Sequence, residues 1–398
     1  MKRLLFSINN KINNKNDKIE MNDEIQKISI KGGRVDALLI FVLAALLTLG
    51  TLMIASASYP YANSHYGDGG YYIKRQIIFL SIGIIAMIIF SRIPIEIYKK
   101  TAPTYYVICL VLLVTVLFGG FSEGVAKRWL GIPGTPLSFQ PSELMKLGII
   151  LMLAWYGEKW YFRKKGTIKE VIFPGVFLFG ACGLVLLEKH LSGTIIIALI
   201  GISVLFVCGI NTKKMTIIYG LTAILGGLVF LLTNSYAMKR IESFLNPNAD
   251  VLSDKWQTTQ GLYAIGSGGF FGLGFGNSRQ KYSYVSEPQN DFIFTIWCEE
   301  MGFIGALLVI VLFLLLIWRG YNIAMKSNDT FSSLVAFGIT SQIGIQSFLN
   351  MLVVTDLIPN TGISLPFFSY GGSSLVILLA EMGILLSISR KSRIKGVL

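Results

Sequence analysis

The chain has 398 residues, of which 53% are hydrophobic and only 14% charged, with a formal net charge of +13. A soluble domain carries about 25% charged residues, so two or three soluble domains, the reading that length alone would suggest, are excluded. Apolar runs close to the roughly 20 residues a spanning helix needs recur along the sequence and predict an all-α, polytopic membrane protein.

Residues 1–36 are polar and rich in Asn and Lys, which predicts a mobile cytoplasmic tail. No apolar stretch precedes Ala37, so a cleaved signal peptide is not expected. About ten spans follow, near 37–57, 73–91, 103–120, 139–157, 170–188, 191–210, 214–233, 291–318, 331–355 and 372–389. They form a membrane domain over 37–390, with a short cytoplasmic tail at 391–398. Only Glu188-Lys189-His190 parts the sixth span from the fifth. Cys109, Cys182, Cys208 and Cys298 lie inside apolar runs and none forms a C-x-x-C pair, so they read as small buried apolar residues. With only two histidines, His65 and His190, a histidine-based zinc or iron site is nearly excluded.

The placement of the basic residues sets the orientation. Of the 35 Lys and Arg, 24 fall in the two tails and the loops on the tails' side; ten fall on the other side, and Lys146 lies within a span. The excess puts both termini in the cytoplasm. The positive charge is then a topology signal with attraction for anionic lipid, and nucleic acid is not an expected partner. The long 234–290 loop falls outside, as do the loops at 58–72, 121–138 and 356–371. The informative residues converge on one face of the membrane.

Lys127-Arg128-Trp129 precede Phe139-Gln140-Pro141-Ser142-Glu143-Leu144-Met145-Lys146. Pro141 fits the first turn of a helix. Glu143 and Lys146, three apart, share a face just below the outer surface, where ionisable groups are costly and usually functional. A self-satisfying ion pair that sets helix packing is the equal alternative. Lys127 and Arg128 beside Trp129 suit either a phosphate clamp or interfacial anchoring. The segment Gly266–Gly276 packs six glycines into eleven residues. Its exposed N–H groups suit an anion nest for a diphosphate; a tightly folded or re-entrant segment is the plainer reading. Arg240, Lys255, Arg279 and Lys281 surround it, consistent with an anionic ligand or with a solvated surface. Asp291, after Pro288-Gln289-Asn290, opens a new apolar segment, where a helix cap is the simple alternative to a catalytic role. Glu299 and Glu300 lie about two turns deeper and suggest a bundle-facing polar patch. Pro359 to Ser374 holds two prolines and a Gly-Gly pair that forbid one continuous helix. Its hydroxyls, Ser373 among them, either line a substrate groove or satisfy broken backbone.

Taken together, KRW…FQPSELMK, SGGFFGLGFGNSRQKYSYVSEPQNDFIF…EEMGF and PNTGISLPFFSYGGSSL closely resemble the SEDS family (shape, elongation, division and sporulation), across essentially all of residues 37–390. The spacing and the Lys- and Asn-rich tail are more similar to its FtsW or sporulation branch than to RodA. The resemblance implies a ten-helix peptidoglycan glycosyltransferase of the bacterial cytoplasmic membrane. Such an enzyme polymerises lipid II at the outer face beside a class B penicillin-binding protein and other division or elongation proteins. It places the family's essential aspartate on Asp291 and matches Arg128, Glu143, Lys146 and Lys281 to family positions. Two departures stand out. The family's His-Thr before the aspartate is Gln289-Asn290 here, and its acidic-Pro-Asp-Leu-Gly-Thr turn is Glu188-Lys189-His190-Leu191-Ser192-Gly193-Thr194, so no role of that turn's aspartate transfers to His190.

Glycosyl transfer from a lipid diphosphate needs a base for the acceptor hydroxyl and positive charge for the departing diphosphate. Asp291 is the expected base in an extracellular catalytic loop. Arg128, Lys146, Arg240 and Lys281 are the expected diphosphate contacts, with a divalent cation (Mg or Mn) as a further carrier of charge; Trp129, Glu143 and Ser373 complete the expected substrate contacts. The competing classes are a lipid II flippase and a non-catalytic division scaffold.

Overall fold

The computed structural model describes residues 35–122, 127–131, 138–160, 167–233, 238, 242–245, 255–282 and 284–394. Residues 1–34 of the expected N-terminal tail and Arg240 lie outside the described residues. In chain order the helices are α1 (Ala37–Tyr66), α2 (Tyr71–Arg92), α3 (Ile95–Gly119), α4 (Pro141–Trp160), α5 (Lys169–Leu187), α6 (Leu191–Val207), α7 (Thr212–Thr233), α8 (Trp256–Gly268), α9 (Ile293–Met325), α10 (Thr330–Val354) and α11 (Gly372–Ile394). All but α8 fall on the expected spans. Eight of them are long and apolar enough to cross a bilayer. Of the other two, α6 is only 17 residues long, and α4 carries Glu143, Lys146, Glu158 and Lys159.

Four expectations about boundaries change, the first being that α3 starts at Ile95, eight residues before the expected 103. The loop predicted at 58–72 is mostly helix, because α1 runs through Pro60 to Tyr66 and stops at Gly67, which adopts the left-handed conformation. At 30 residues α1 is about 45 Å long, well beyond a hydrocarbon core of about 30 Å. Helix α9 runs to Met325, past the boundary expected near residue 318. The predicted loop at 121–138 carries strands β1 (Phe121–Ser122), β2 (Lys127–Gly131) and β3 (Ser138–Phe139), paired antiparallel in that order. This small sheet is the exception to an otherwise helical fold.

Polar side chains fix the ends of the bundle. Asp36 caps α1 by accepting from the Leu39 N–H at 3.1 Å and also pairs with Arg319 of α9. Asp329 caps α10 through the Ser332 N–H at 3.0 Å. On the same side Lys99 pairs with Glu158 at 2.6 Å and Lys391 pairs with Glu96. The opposite end gathers the loops that carry the candidate site residues. Residues 365–369 cross directly over α1 at Gly50, where a Cβ would lie 2.6 Å from the Phe367 carbonyl oxygen and 2.7 Å from the Phe368 Cα. Only glycine permits that approach, and it seats Phe367 and Phe368 in the core.

The glycine run is built into α9. Gly302 has φ 65 and ψ −164, a region essentially restricted to glycine, and it interrupts the helix. The break frees the carbonyls of Glu299 and Glu300, which accept from Leu273 N at 3.0 Å and Gly274 N at 2.9 Å. The freed N–H groups of Phe303 and Ile304 donate to the carbonyls of Gly269 at 2.9 Å and Phe270 at 3.3 Å. Thus α8 leads into a loop whose backbone is satisfied by the gap in α9. Irregular backbone is tolerated at membrane depth only on such terms. Phe270, Phe271 and Phe275 remain exposed on the outside of this re-entrant segment.

Candidate active site

Asp291 lies just outside α9. The N-cap position falls on Phe292, which makes no side-chain cap. The main chain around Asp291 is clamped by the 356–371 loop. Asn350 Nδ2 donates to the Asp291 carbonyl at 2.8 Å and to the Ile363 carbonyl at 2.7 Å. Tyr370 N donates to the Gln289 carbonyl at 2.9 Å. The carboxylate itself is half-buried, and its Oδ2 lies 3.7 Å from where a Cβ would stand on Gly362. The acid therefore lies beside Gly362, which carries no side chain.

Glu143 and Lys146 do form an ion pair, at 2.7 Å. It is part of a larger set. Lys146 Nζ also donates to Gln346 Oε1 at 3.1 Å, and Ser374 Oγ donates to Glu143 Oε2 at 3.0 Å. Gln346 Nε2 donates to the Ser364 carbonyl at 3.1 Å. Since Gln346 and Asn350 are one helical turn apart on α10, one hydrogen-bonded chain runs from Lys146 through residues 363–364 to the main chain of Asp291. Ser373, the hydroxyl expected at the substrate, is neighbour to the serine that reaches Glu143. Its own oxygen is buried without a partner among the described residues.

The β-sheet brings a second cation to this end. Arg128 on β2 donates to the Lys189 carbonyl at 2.6 Å, and Trp129 pairs with Phe121 across β1 and β2. The turn that departs from the family pattern lies here. Burial pushes the Glu188 carboxyl up to about 8, against the pull of Arg128. Burial, with Arg128 and Lys146 nearby, pushes His190 down to about 3. The ring is neutral at any ordinary pH, and its Nδ1 accepts from Gln140 Nε2 at 3.1 Å and Ser142 Oγ at 3.2 Å. His190 thus ties the α5–α6 turn to the start of α4.

Lys281 departs from its expected place at a diphosphate. It is 3% exposed, and its Nζ donates to Glu300 Oε1 at 3.0 Å, Ser56 Oγ at 3.0 Å and the Gly276 carbonyl at 2.6 Å. The ammonium is fully engaged beneath the loop. In the glycine run expected as an anion nest, the N–H groups of Gly272, Leu273 and Gly274 are engaged from within, by the carbonyls of Gly268, Glu299 and Glu300, and the residues just after the run are held by a carboxylate. Glu299 accepts from Arg279 N at 3.0 Å and Gln280 N at 3.3 Å, and from the Ser278 hydroxyl. The polar patch expected at Glu299 and Glu300 is this anchor.

Comparison with known proteins places this arrangement. The family model described as "Cell cycle protein" (FtsW, RodA, SpoVE) matches residues 36–394. The chain belongs to this FtsW/RodA/SpoVE family. It is 41% identical over 365 residues to stage V sporulation protein E of Bacillus subtilis, covering 90% of this chain and 98% of that protein. It is 37% identical over 369 residues to a probable peptidoglycan glycosyltransferase FtsW of Trichlorobacter lovleyi, covering 92% and 96%. Among solved structures it resembles a chain of a peptidoglycan synthase complex that coordinates polymerization and crosslinking (TM-score 0.75, 27% identity, 90% of this chain and 98% of that one). It also resembles the rod shape determining protein RodA of Thermus thermophilus (TM-score 0.67, 27% identity, 89% and 97%).

Within this family member, sequence reasoning missed Gln342, Gln346 and Asn350. They recur every four residues on α10 and are all buried, a polar stripe on an otherwise apolar span. Gln342 Nε2 donates to Glu381 Oε2 at 2.8 Å, which extends the polar line deeper into the bundle. The ion pair can be tested against this background. Lys146→Met alone leaves Glu143 without its cation and is expected to destabilise the protein by about 3–5 kcal/mol. Adding Glu143→Gln is expected to restore thermal stability but not polymerisation. Recovery of both would reduce the pair to a packing device.

Proposed function

We propose that this peptidoglycan glycosyltransferase polymerises lipid II at the outer face of the bacterial cytoplasmic membrane, with Asp291 as the general base. The observation that carries the reading is the convergence at one end of the bundle. There the 356–371 loop joins Asp291 to the Lys146 chain, and Arg128 reaches the same loop through the α5–α6 turn, whose Ser192 hydroxyl donates to the Thr361 carbonyl at 2.6 Å. The Asp291 carboxylate takes the proton of the acceptor sugar hydroxyl. The hydroxyl oxygen bonds to the anomeric carbon of the donor, whose bond to the diphosphate oxygen breaks, and the diphosphate departs with the electron pair. Positive charge held in place for that leaving group is worth more than the same charge in water. Arg128 is the described cation best placed to meet it, because its sheet stands at the outer end. Lys146 is 2% exposed and supplies its field from beneath. Among the described residues no three of His, Cys, Asp and Glu come together to hold a metal.

The partner in this reading is a class B penicillin-binding protein, whose transpeptidation would follow the polymerisation. The likeness to a chain of a peptidoglycan synthase complex supports it. A second reading, lipid II flipping, draws on the buried polar line Glu143–Lys146–Gln346 with Gln342–Glu381, since ionisable groups inside a bundle also mark transport paths. Purified protein and its penicillin-binding partner, reconstituted in liposomes with labelled lipid II, separate these. A muramidase-sensitive polymer is the expected product. Movement of lipid II between leaflets with no polymer would replace the enzyme by the flippase, and neither result would leave a scaffold.

A further inference from the structure

Five aromatic rings at the outer ends of α1 and α2 meet Tyr370 of the 356–371 loop, a cluster that the mechanism does not use. Tyr66 stacks on Tyr71 with centroids 3.9 Å apart and planes 6° from parallel. The Arg75 guanidinium carbon lies 4.1 Å from the Tyr71 centroid. Tyr61 stacks on His65 at 4.1 Å. Tyr72 lies beneath them, edge-on to Tyr66 at 6.0 Å and to Tyr370 at 4.9 Å. The most exposed tyrosines at this end of α1 are Tyr66 of the cluster, at 51%, and Tyr59, at 58%, which stands beside the cluster with its ring against Gly69. Spaced seven residues apart on α1, they share one helix face about two turns, or roughly 10.5 Å, apart.

Two features set this cluster apart from an interfacial aromatic belt. The first is height. The hydrocarbon core takes up about 20 residues of helix, so α1 from about residue 57 onward stands past it. The second is direction. The rings lead inward to the catalytic loop instead of outward to lipid. Tyr370 donates its N–H to the Gln289 carbonyl, two residues before Asp291. The Glu287 carboxylate is near enough to interact electrostatically with both Tyr61 and Tyr72. The rim is polar, with the exposed Lys74–Asp68 pair at 2.7 Å and Ser64 bonded to His65 at 3.0 Å.

We propose that the Tyr59–Tyr66 face is a carbohydrate platform that holds the sugar chain entering or leaving the Asp291 site. The proposal rests on the glycosyltransferase reading above. A hexopyranose presents a face of C–H groups with partial positive charge, which suits the negative face of an aromatic ring. Its hydroxyl and acetamido groups at the edge suit a rim of carboxylate, ammonium and hydroxyl. Two ring faces two turns apart suit an extended chain that meets them with successive sugars, whereas a lone headgroup would meet one.

The test uses full-length protein with its penicillin-binding partner in the Asp291→Asn background, so that binding is read without turnover. The probe is a short lipid-free peptidoglycan oligosaccharide. Tyr59→Ala with Tyr66→Ala is expected to weaken binding about tenfold or more, the sum of two ring contacts. Tyr59→Phe with Tyr66→Phe keeps both rings and should retain the affinity. Melting temperatures identify any variant that fails to fold. In the active background the alanine pair should also shorten the glycan strands. Unchanged affinity in the alanine pair, or no oligosaccharide binding by the parent, overturns the proposal. So does a loss confined to binding phosphatidylglycerol vesicles free of glycan, which would make the rings a membrane anchor. If the platform binds sugar but wild-type protein makes no polymer, the glycosyltransferase reading fails and the platform stands.

Discussion

Asp291→Asn is expected to lower glycan polymerisation at least about 100-fold, the scale for loss of a general base, while the protein folds, inserts and binds its partner as before. The structure gives a reason for the second half. Asn350 holds the Asp291 main-chain carbonyl at 2.8 Å, and the N-cap position belongs to Phe292. The main chain at residue 291 is thus held by a contact that the substitution leaves alone. Asn keeps the size of the side chain and removes its charge and its basic oxygen. Asp291→Glu is also expected to be poor. The added methylene carries the oxygens roughly 1 Å from their place, and a displacement of that size costs about 100-fold. The measurement is polymerisation of labelled lipid II by the purified complex, with thermal melting recorded on the same samples. Near-wild-type polymer from Asp291→Asn would remove Asp291 from the chemistry, and Glu287 would be the next carboxylate to examine.

The second large effect is expected at Glu300. Its side chain is fully buried and faces Lys281 at 3.0 Å, with Ser56 donating to the same oxygen at 2.7 Å. Glu300→Ala strands the ammonium of Lys281 in the bundle, and breaking a buried pair from one side costs about 3–5 kcal/mol. The loss frees residues 276–281, which lead to Asp291, so stability and polymerisation should fall together. The informative companion is Glu300→Gln with Lys281→Met. Removing both charges while keeping their volume is often close to neutral, so melting temperature and a large part of the activity should return. If stability returns and polymerisation does not, Lys281 has a role with the substrate beyond anchoring the loop.

The spans and the convergence of polar loops at one end were legible because a bilayer demands long apolar runs and charge asymmetry, and both are written locally. Which face of each helix is buried was not. Helix α2 buries Tyr72, Gln76, Gly83 and Ser91 and turns Ile77, Ile78, Ile82, Ile85, Ile88 and Ile89 outward, the reverse of a soluble helix. Lipid solvates isoleucine as well as a protein core does, so apolar periodicity loses its meaning. The Asp291 position was legible from its motif; Asn350, which holds it, was not singled out, although the four-residue spacing of Gln342, Gln346 and Asn350 was there to be read. Lys281 reads from the sequence as a diphosphate contact because an anionic ligand accounts for a basic residue in an outer loop. Its burial depends on Glu300, whose deep position was recognised but whose partner was not. The pairing of the glycine run with the gap at Gly302 joins residues some thirty apart, and no local pattern announces it.

That pairing has a consequence for how the protein is made. Synthesis delivers α8 and the Gly269–Gly274 backbone to the membrane before the residues around Gly302 exist. The amides of Leu273 and Gly274 and the carbonyls of Gly269 and Phe270 find their partners only in α9. In hydrocarbon, unpaired backbone groups cost several kcal/mol each, so the segment has to wait in the aqueous or headgroup layer until α9 is in place. The 269–274 loop is therefore completed late, as a separate docking event after the helices on either side have crossed. A nascent chain halted before Gly302 would hold the first seven spans and still lack the site.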